Sequence, residues 1–233
     1  MRFALISEGI TDQVVIESII GAYYKNSTEE VIINPLQPMR DATDQSRQAL
    51  DSFGGWEQVF EYISIDENCA SALDANDKLI IQIDSDICWQ DSINIDPNMG
   101  HETLFAALRS LLISKMPAEI LEWIQDDLIF AIPIHSTECW LIPLYTKDQI
   151  TLKKLNNCEN VLDKIEQDIV KKVEKTFDCY KELSARIKKP RDIQLISKHD
   201  ESLALFTEQL PVLDDKCESL QELNTCKDLD CSP

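Results

Sequence analysis

Short unbroken apolar runs alternate along this chain with longer segments whose apolar residues recur at helical spacing. The first run, Phe3-Ala4-Leu5-Ile6, reads as a buried strand within residues 2–8. Val15, Ile16, Ile19, Ile20 and Tyr23 then follow a helical period, with Thr11 as the predicted cap and Asp12 in the first turn. Val31-Ile32-Ile33 predicts a second strand, stopped by Pro35 and Pro38. Residues 40–53 are polar and read as helical or irregular; Gly54-Gly55 breaks the pattern before a helix from Trp56 to Ile63. Residues 66–77 read as a connection to the next strand, residues 78–84. A loop with Gly and Pro spans residues 87–100, and Leu104, Leu108, Leu111 and Leu112 mark another helix. A short helix over 117–125 leads to a last buried strand, Leu128 to Ile134, and a helix follows from Cys139.

Strand and helix in alternation predict an α/β fold, a mostly parallel sheet flanked by helices, over residues 1–150. The remainder differs. Residues 155–189 are charge-rich and helical without a strand signal, and His199 to Leu210 predicts one more helix. The expected organisation is therefore an α/β domain, a helical region over 151–213, and an acidic, loosely ordered tail over 214–233.

Composition narrows the function classes. The 233 residues are 44% hydrophobic, enough for a core, and no apolar run is long enough to predict a transmembrane helix. The N-terminus turns acidic at Glu8, too soon for a signal peptide, which predicts a cytoplasmic protein without a membrane partner. The eight cysteines form no CxxC pair, and the expectation is free thiols rather than a zinc site. A net charge of −20 argues against tight, non-specific nucleic-acid binding, since phosphate-binding surfaces are basic. Bound metal ions invert a local field, so the charge does not exclude phosphate chemistry.

The candidate chemistry lies where two apolar strands end. Ala4-Leu5-Ile6 runs into Ser7-Glu8-Gly9 with Asp12 beyond, and Leu79 to Ile83 runs into Asp84-Ser85-Asp86. In open α/β sheets, ligands bind at the C-terminal ends of strands. Carboxylates crowded there repel one another unless a cation joins them, and Mg²⁺ or Mn²⁺ takes oxygen ligands of this kind. His135 and Glu138 end the last strand at the same expected edge. Each acid has a plainer explanation on its own: Asp12 and Glu138 as first-turn helix acids, Asp84 and Asp86 as a solvated loop start. Lys153 and Lys154, and the cluster Lys188-Lys189-Pro190-Arg191, are candidate phosphate contacts, or simply solvated faces. Trp140 reads as core and Gly54-Gly55-Trp56 as a strand-to-helix turn.

Taken together, Glu8-Gly9-x-x-Asp12 and Asp84-x-Asp86 resemble the TOPRIM domain of topoisomerases, bacterial primases and OLD-family nucleases. His135-Ser136-Thr137-Glu138-Cys139-Trp140 and the Gly54-Gly55-Trp56 turn look like stand-alone TOPRIM-like proteins of bacterial anti-phage defence. The resemblance covers residues 2–145 and implies one or two Mg²⁺ or Mn²⁺ ions. It makes Glu8 the general base or metal ligand, Asp84 and Asp86 the metal-binding aspartates, Glu138 a further acid and Asp12 the helix-start acid. It implies a nuclease acting on DNA or RNA, with any ATPase or regulatory partner on a separate chain, because no GxxxxGK[ST] motif is present. Primase-like nucleotidyl transfer and a non-catalytic or partner-gated interaction subunit are the alternatives. A haloacid-dehalogenase-like phosphatase fits less well, since its DxD follows the first strand.

Overall fold

The computed structural model describes residues 1–40, 55–153, 157–165 and 173–214. Four strands form one sheet: β1 (Arg2–Ile6), β2 (Ile32–Gln37), β3 (Lys78–Gln82) and β4 (Leu128–Ala131). Their order is β2-β1-β3-β4, and every neighbouring pair is parallel. This is the α/β architecture that the alternation predicts.

Because side chains alternate across a strand, each strand feeds two cores. Phe3 and Leu5 of β1 face one core, with Ile80 of β3 and Ile129 and Ala131 of β4. Helix α1 (Ile10–Tyr23) packs there. Ala4, Ile6, Leu79, Ile81 and Phe130 face the other, against α2 (Trp56–Ile63), α3 (Asp66–Ala75), α4 (His101–Lys115) and α5 (Ala118–Ile124). The chain moves outward from β1 to β2, then returns past β1 to β3. That reversal places α1 and the later crossover helices on opposite faces of the sheet.

The remaining helices are α6 (Thr137–Leu141), α7 (Gln149–Leu152), α8 (Cys158–Ile165), α9 (Phe177–Ser184), α10 (Pro190–Ser197) and α11 (Glu201–Thr207). Their buried residues, among them Leu162, Tyr180, Leu183, Ile193, Ile196, Leu203 and Phe206, share one cluster with α1 and the first face of the sheet. Beyond Thr207, the Gln209 amide covers the open edge of β4. It accepts from Phe130 N at 3.0 Å and donates to Phe130 O at 2.9 Å, doing what a further strand would do. Trp140 is core, as its sequence context predicts: it is fully buried, stacks on Phe206 at 5.9 Å between centroids, and donates from Nε1 to Ser202 Oγ at 2.8 Å.

Several sequence expectations are corrected. Thr11 does not cap α1; the cap residue is Gly9, without a side-chain cap, and Thr11 lies inside the first turn. The second strand is not stopped by Pro35 but runs to Gln37, with Pro35 opposite Leu5. Proline is tolerated because β2 is an edge strand. Residues 66–75 are a helix rather than a plain connection. The loop after Asp84 opens with a 3₁₀ helix, Ser85–Trp89. Two cysteines expected as free thiols, Cys139 and Cys158, form a disulfide that joins α6 to α8. The turn at Gly55 is present, with φ of 109°, a backbone region that suits glycine. The stretches 41–54 and 215–233, with most of the polar segment and the acidic tail, lie outside the described residues.

Candidate metal centre

Strand order reverses between β1 and β3, and Glu8 and Asp84 follow these two adjacent strands. Such a reversal opens the crevice in which α/β proteins bind ligands. The two acids are joined directly: Asp84 N donates to Glu8 Oε1 at 2.6 Å. Gln82, fully buried at the end of β3, ties the pair from below. Its Oε1 accepts from Glu8 N at 3.0 Å, and its Nε2 donates to Asp84 Oδ1 at 2.7 Å. Gly55 N also donates to Glu8 O at 2.7 Å, anchoring the turn that carries Glu8.

Two further acids act on Asp84 through their charge. Asp12, in the first turn of α1, is 8% exposed, and Glu138, in the first turn of α6, is 4% exposed. Thr137 Oγ1 donates to Asp12 Oδ1 at 2.5 Å, linking the two helix starts. The Tyr180 hydroxyl, from α9, donates to Glu138 Oε1. Asp86 is the most exposed of the five, on the outer side of the 3₁₀ helix.

The loops after β3 and β4 are stitched together. Ser85 N donates to Pro133 O at 3.1 Å, Asp86 N to His135 O at 3.3 Å, and His135 N to Ser85 Oγ at 2.7 Å. His135 holds φ of 63°, the left-handed region that non-glycine residues seldom adopt, and this backbone twist starts the turn into α6. Burial lowers the His135 pKa against the opposing pull of Asp86.

The electrostatics are those of crowded acids. Burial, then the charges of Asp12 and Asp86, push the Glu8 carboxyl up to about 8, although the Asp84 N–H and Lys175 oppose the rise. Burial and Glu138 push Asp12 up to about 7 against Thr137 and Lys175. Asp84 is raised well above its ordinary value by burial and then by Asp12, Glu8, Glu138 and Asp86. Asp86 is raised by partial burial and by Glu138, and held down by His135 and Lys175. A group of carboxyls whose charges oppose one another in this way favours either protons or a cation.

The chemistry of the side chains is that of ligands to a hard divalent ion. The donor set is entirely carboxylate oxygen, which suits Mg²⁺ or Mn²⁺ and not zinc. Space is reserved as well: a Cβ at Gly9 would stand 2.9 Å from Asp12 Oδ2, so any larger residue there presses on that carboxylate. Among the described residues, no three His, Cys, Asp or Glu side chains are gathered closely enough to hold an ion as they stand.

The structure thus brings Glu8, Asp12, Asp86 and Glu138 each into electrostatic range of Asp84. Of the predicted phosphate contacts, Lys153 is exposed after α7, and Lys188, Lys189 and Arg191 are exposed around the start of α10. Lys154 lies outside the described residues. The lysine that acts on the acids is Lys175, which precedes α9 and pairs with Glu159 at 3.4 Å. Burial works against its charge, but Glu138, Glu159 and Asp12 outweigh burial and raise its pKa. Sequence reasoning missed Gln82, Lys175 and Tyr180. Gln82 had a visible signal, one amide inside an apolar strand; Lys175 and Tyr180 had none, because only tertiary packing brings their segment to α1 and α6.

Comparison with protein-family models, with curated proteins and with solved structures finds no match for this chain.

Proposed function

We propose that this protein is a metal-dependent nuclease of TOPRIM type that hydrolyses phosphodiester bonds of DNA or RNA with Mg²⁺ or Mn²⁺. One observation carries the reading: Glu8 and Asp84 follow adjacent strands at the reversal of strand order, joined by the 2.6 Å bond from Asp84 N to Glu8 Oε1, with buried Asp12 and Glu138 in electrostatic range of Asp84. Burying that many acids together disfavours the metal-free fold, and a ligand of opposite charge offsets the cost. Asp84, Asp86, Glu138 and Asp12 would hold the metal, with Glu8 as ligand or base. When bound, the ion supplies Lewis-acid activation of water and stabilises the leaving oxygen.

The chain's own residues set the rest. Gln82 fixes the orientation of Glu8 and Asp84 at once, and Tyr180 and Thr137 fix Glu138 and Asp12. Glu8 has one oxygen engaged by Asp84 N, which leaves the other for a ligand or for a proton from water. Burial and the neighbouring acids raise its carboxyl to about 8 in the metal-free fold, and a bound cation would favour its ionised form. Lys175, whose charge acts on Glu8, Asp12 and Asp86, would offer positive charge to a bound phosphate. In hydrolysis the water oxygen bonds to phosphorus, its proton passes to a base, and the bond to the leaving sugar oxygen breaks. A role in anti-phage defence, and a separate ATPase or regulatory chain, belong to the same proposal. The −20 net charge supports a partner that supplies part of the grip on nucleic acid.

The test is cleavage of end-labelled DNA and RNA with Mg²⁺, Mn²⁺ or EDTA by the wild-type, Glu8→Ala and Asp84→Ala proteins. Metal-dependent shortening of strands, lost in both variants with unchanged circular dichroism, is the expected result. Equal cleavage by the purified variants, or free phosphate from small esters without strand scission, would overturn it.

A further inference from the structure

Trp89 is the last residue of the 3₁₀ helix that begins just after Asp84, and it is 61% exposed. Within that helix Ser85, Ile87 and Cys88 are buried, whereas Asp86 and Trp89 face out. A 3₁₀ helix repeats every three residues, so Asp86 and Trp89 lie on one face, about 6 Å apart along the axis. An exposed indole contributes little to folding, because its apolar surface stays in water. It does present a flat π-face one turn beyond a metal-site carboxylate, at the end of the sheet where ligands bind. That separation is on the scale of one nucleotide.

Resting on the nuclease reading above, we propose that Trp89 is a stacking platform for an unpaired base beside the scissile phosphate, and that the substrate enters this site as single-stranded nucleic acid. A duplex keeps its bases stacked on one another and has no face to offer the indole; a single strand does. Stacking tolerates any base, so the platform gives affinity and register without sequence choice. It also answers the charge problem. On a chain of net charge −20, binding that depended on phosphate contacts alone would be poor, whereas base stacking adds affinity that does not need a basic surface.

A second exposed tryptophan supplies the control. Trp123 is 83% exposed on α5, the helix that precedes β4 and therefore lies toward the opposite end of the sheet. The experiment measures anisotropy of short labelled single-stranded DNA and RNA, and of their duplexes, with Ca²⁺ in place of the catalytic ion. Wild type, Trp89→Ala, Trp89→Phe and Trp123→Ala are compared, with Mn²⁺ binding and melting temperature recorded for each.

The expected result is a wild-type preference for single strands and a loss of about 5- to 150-fold in Trp89→Ala, from the ~1–3 kcal/mol that alanine substitution removes per stacked base. Trp89→Phe keeps most of the affinity, Trp123→Ala is unchanged, and Mn²⁺ binding and melting are the same in all four. Wild-type affinity in Trp89→Ala, or a preference for duplex, overturns the proposal while leaving the nuclease reading intact. So does loss of Mn²⁺ binding in Trp89→Ala, because the residue would then support Asp86 rather than a base. A wild-type protein that neither binds nor cuts nucleic acid overturns both.

Discussion

Replacing Asp12 by asparagine stabilises the metal-free protein at high pH and removes its response to metal. Asp12 is 8% exposed, and burial and Glu138 raise its carboxyl from 3.8 to about 7. In the unfolded chain the group ionises near 3.8; in the fold it keeps its proton to about 7. Between those values the folded state holds the extra proton, so stability falls as pH rises and levels off above about 7. The displacement corresponds to an upper bound on the order of 4 kcal/mol, and sharing of protons among the neighbouring acids reduces it to roughly 2–3 kcal/mol. Asparagine carries no charge at any pH, and its Oδ1 still accepts the 2.5 Å bond from Thr137 Oγ1. In EDTA at about pH 8, Asp12→Asn should therefore melt about 4–12 °C above wild type, and at about pH 4 the difference should largely vanish. Added Mn²⁺ should then raise the wild-type melting temperature and leave that of the variant nearly unchanged. Thermal melts followed by circular dichroism read all of these. An Asp12→Asn protein no more stable than wild type at the higher pH, or equally stabilised at both, would refute the crowding of charge on which the site rests.

Three further perturbations address the supports around the acids. Gln82→Met removes the amide that holds Glu8 N and Asp84 Oδ1 while filling the same buried space; Mn²⁺ affinity should fall about 10- to 100-fold, with about 1–3 kcal/mol of stability lost alongside. Unchanged affinity by calorimetry would show that the clamp does not position the acids. Tyr180→Phe takes away the hydroxyl donor to Glu138 and should cost about 1–3 kcal/mol in urea unfolding, together with weaker Mn²⁺ binding; wild-type values for both would contradict the role given to α9. Reduction of Cys139–Cys158, whose cysteines are 19 residues apart, should lower stability by about 3 kcal/mol and loosen α6, which carries Glu138. Identical melts with and without reductant would show that packing alone holds that helix.

The fold and its acidic edge are legible in the chain because both rest on local pattern. Apolar runs of strand length that end in acids, Ala4 to Ile6 and Leu79 to Ile83, read as strands that deliver those acids to one end of a sheet. What the pattern misses depends on contacts distant in sequence. Lys175 and Tyr180 come from a charge-rich segment whose helical period says nothing of its neighbour; packing of α9 against α1 brings them to the acids. Cys139 and Cys158 lack any recognisable spacing and meet because α6 and α8 pack together. Pro35 fails as a stop signal because an edge strand tolerates a missing donor, and edge position is a property of the sheet. The cap of α1 is Gly9 rather than Thr11, so the helix starts earlier than capping preference suggests and places Asp12 within its first turn. Gln82, by contrast, was open to view as the one amide in an apolar strand, and its meaning depended on knowing that β1 lies alongside.

The central claim is that the acids at the reversal between β1 and β3 form a divalent-cation site. Titration of Mn²⁺ into EDTA-stripped wild-type and Asp84→Asn protein, followed by electron paramagnetic resonance of the free ion, measures it directly. Saturable uptake of one or two ions by wild type, largely abolished in a folded Asp84→Asn protein, is the predicted outcome. Uptake by neither protein, or by both alike, would contradict the account.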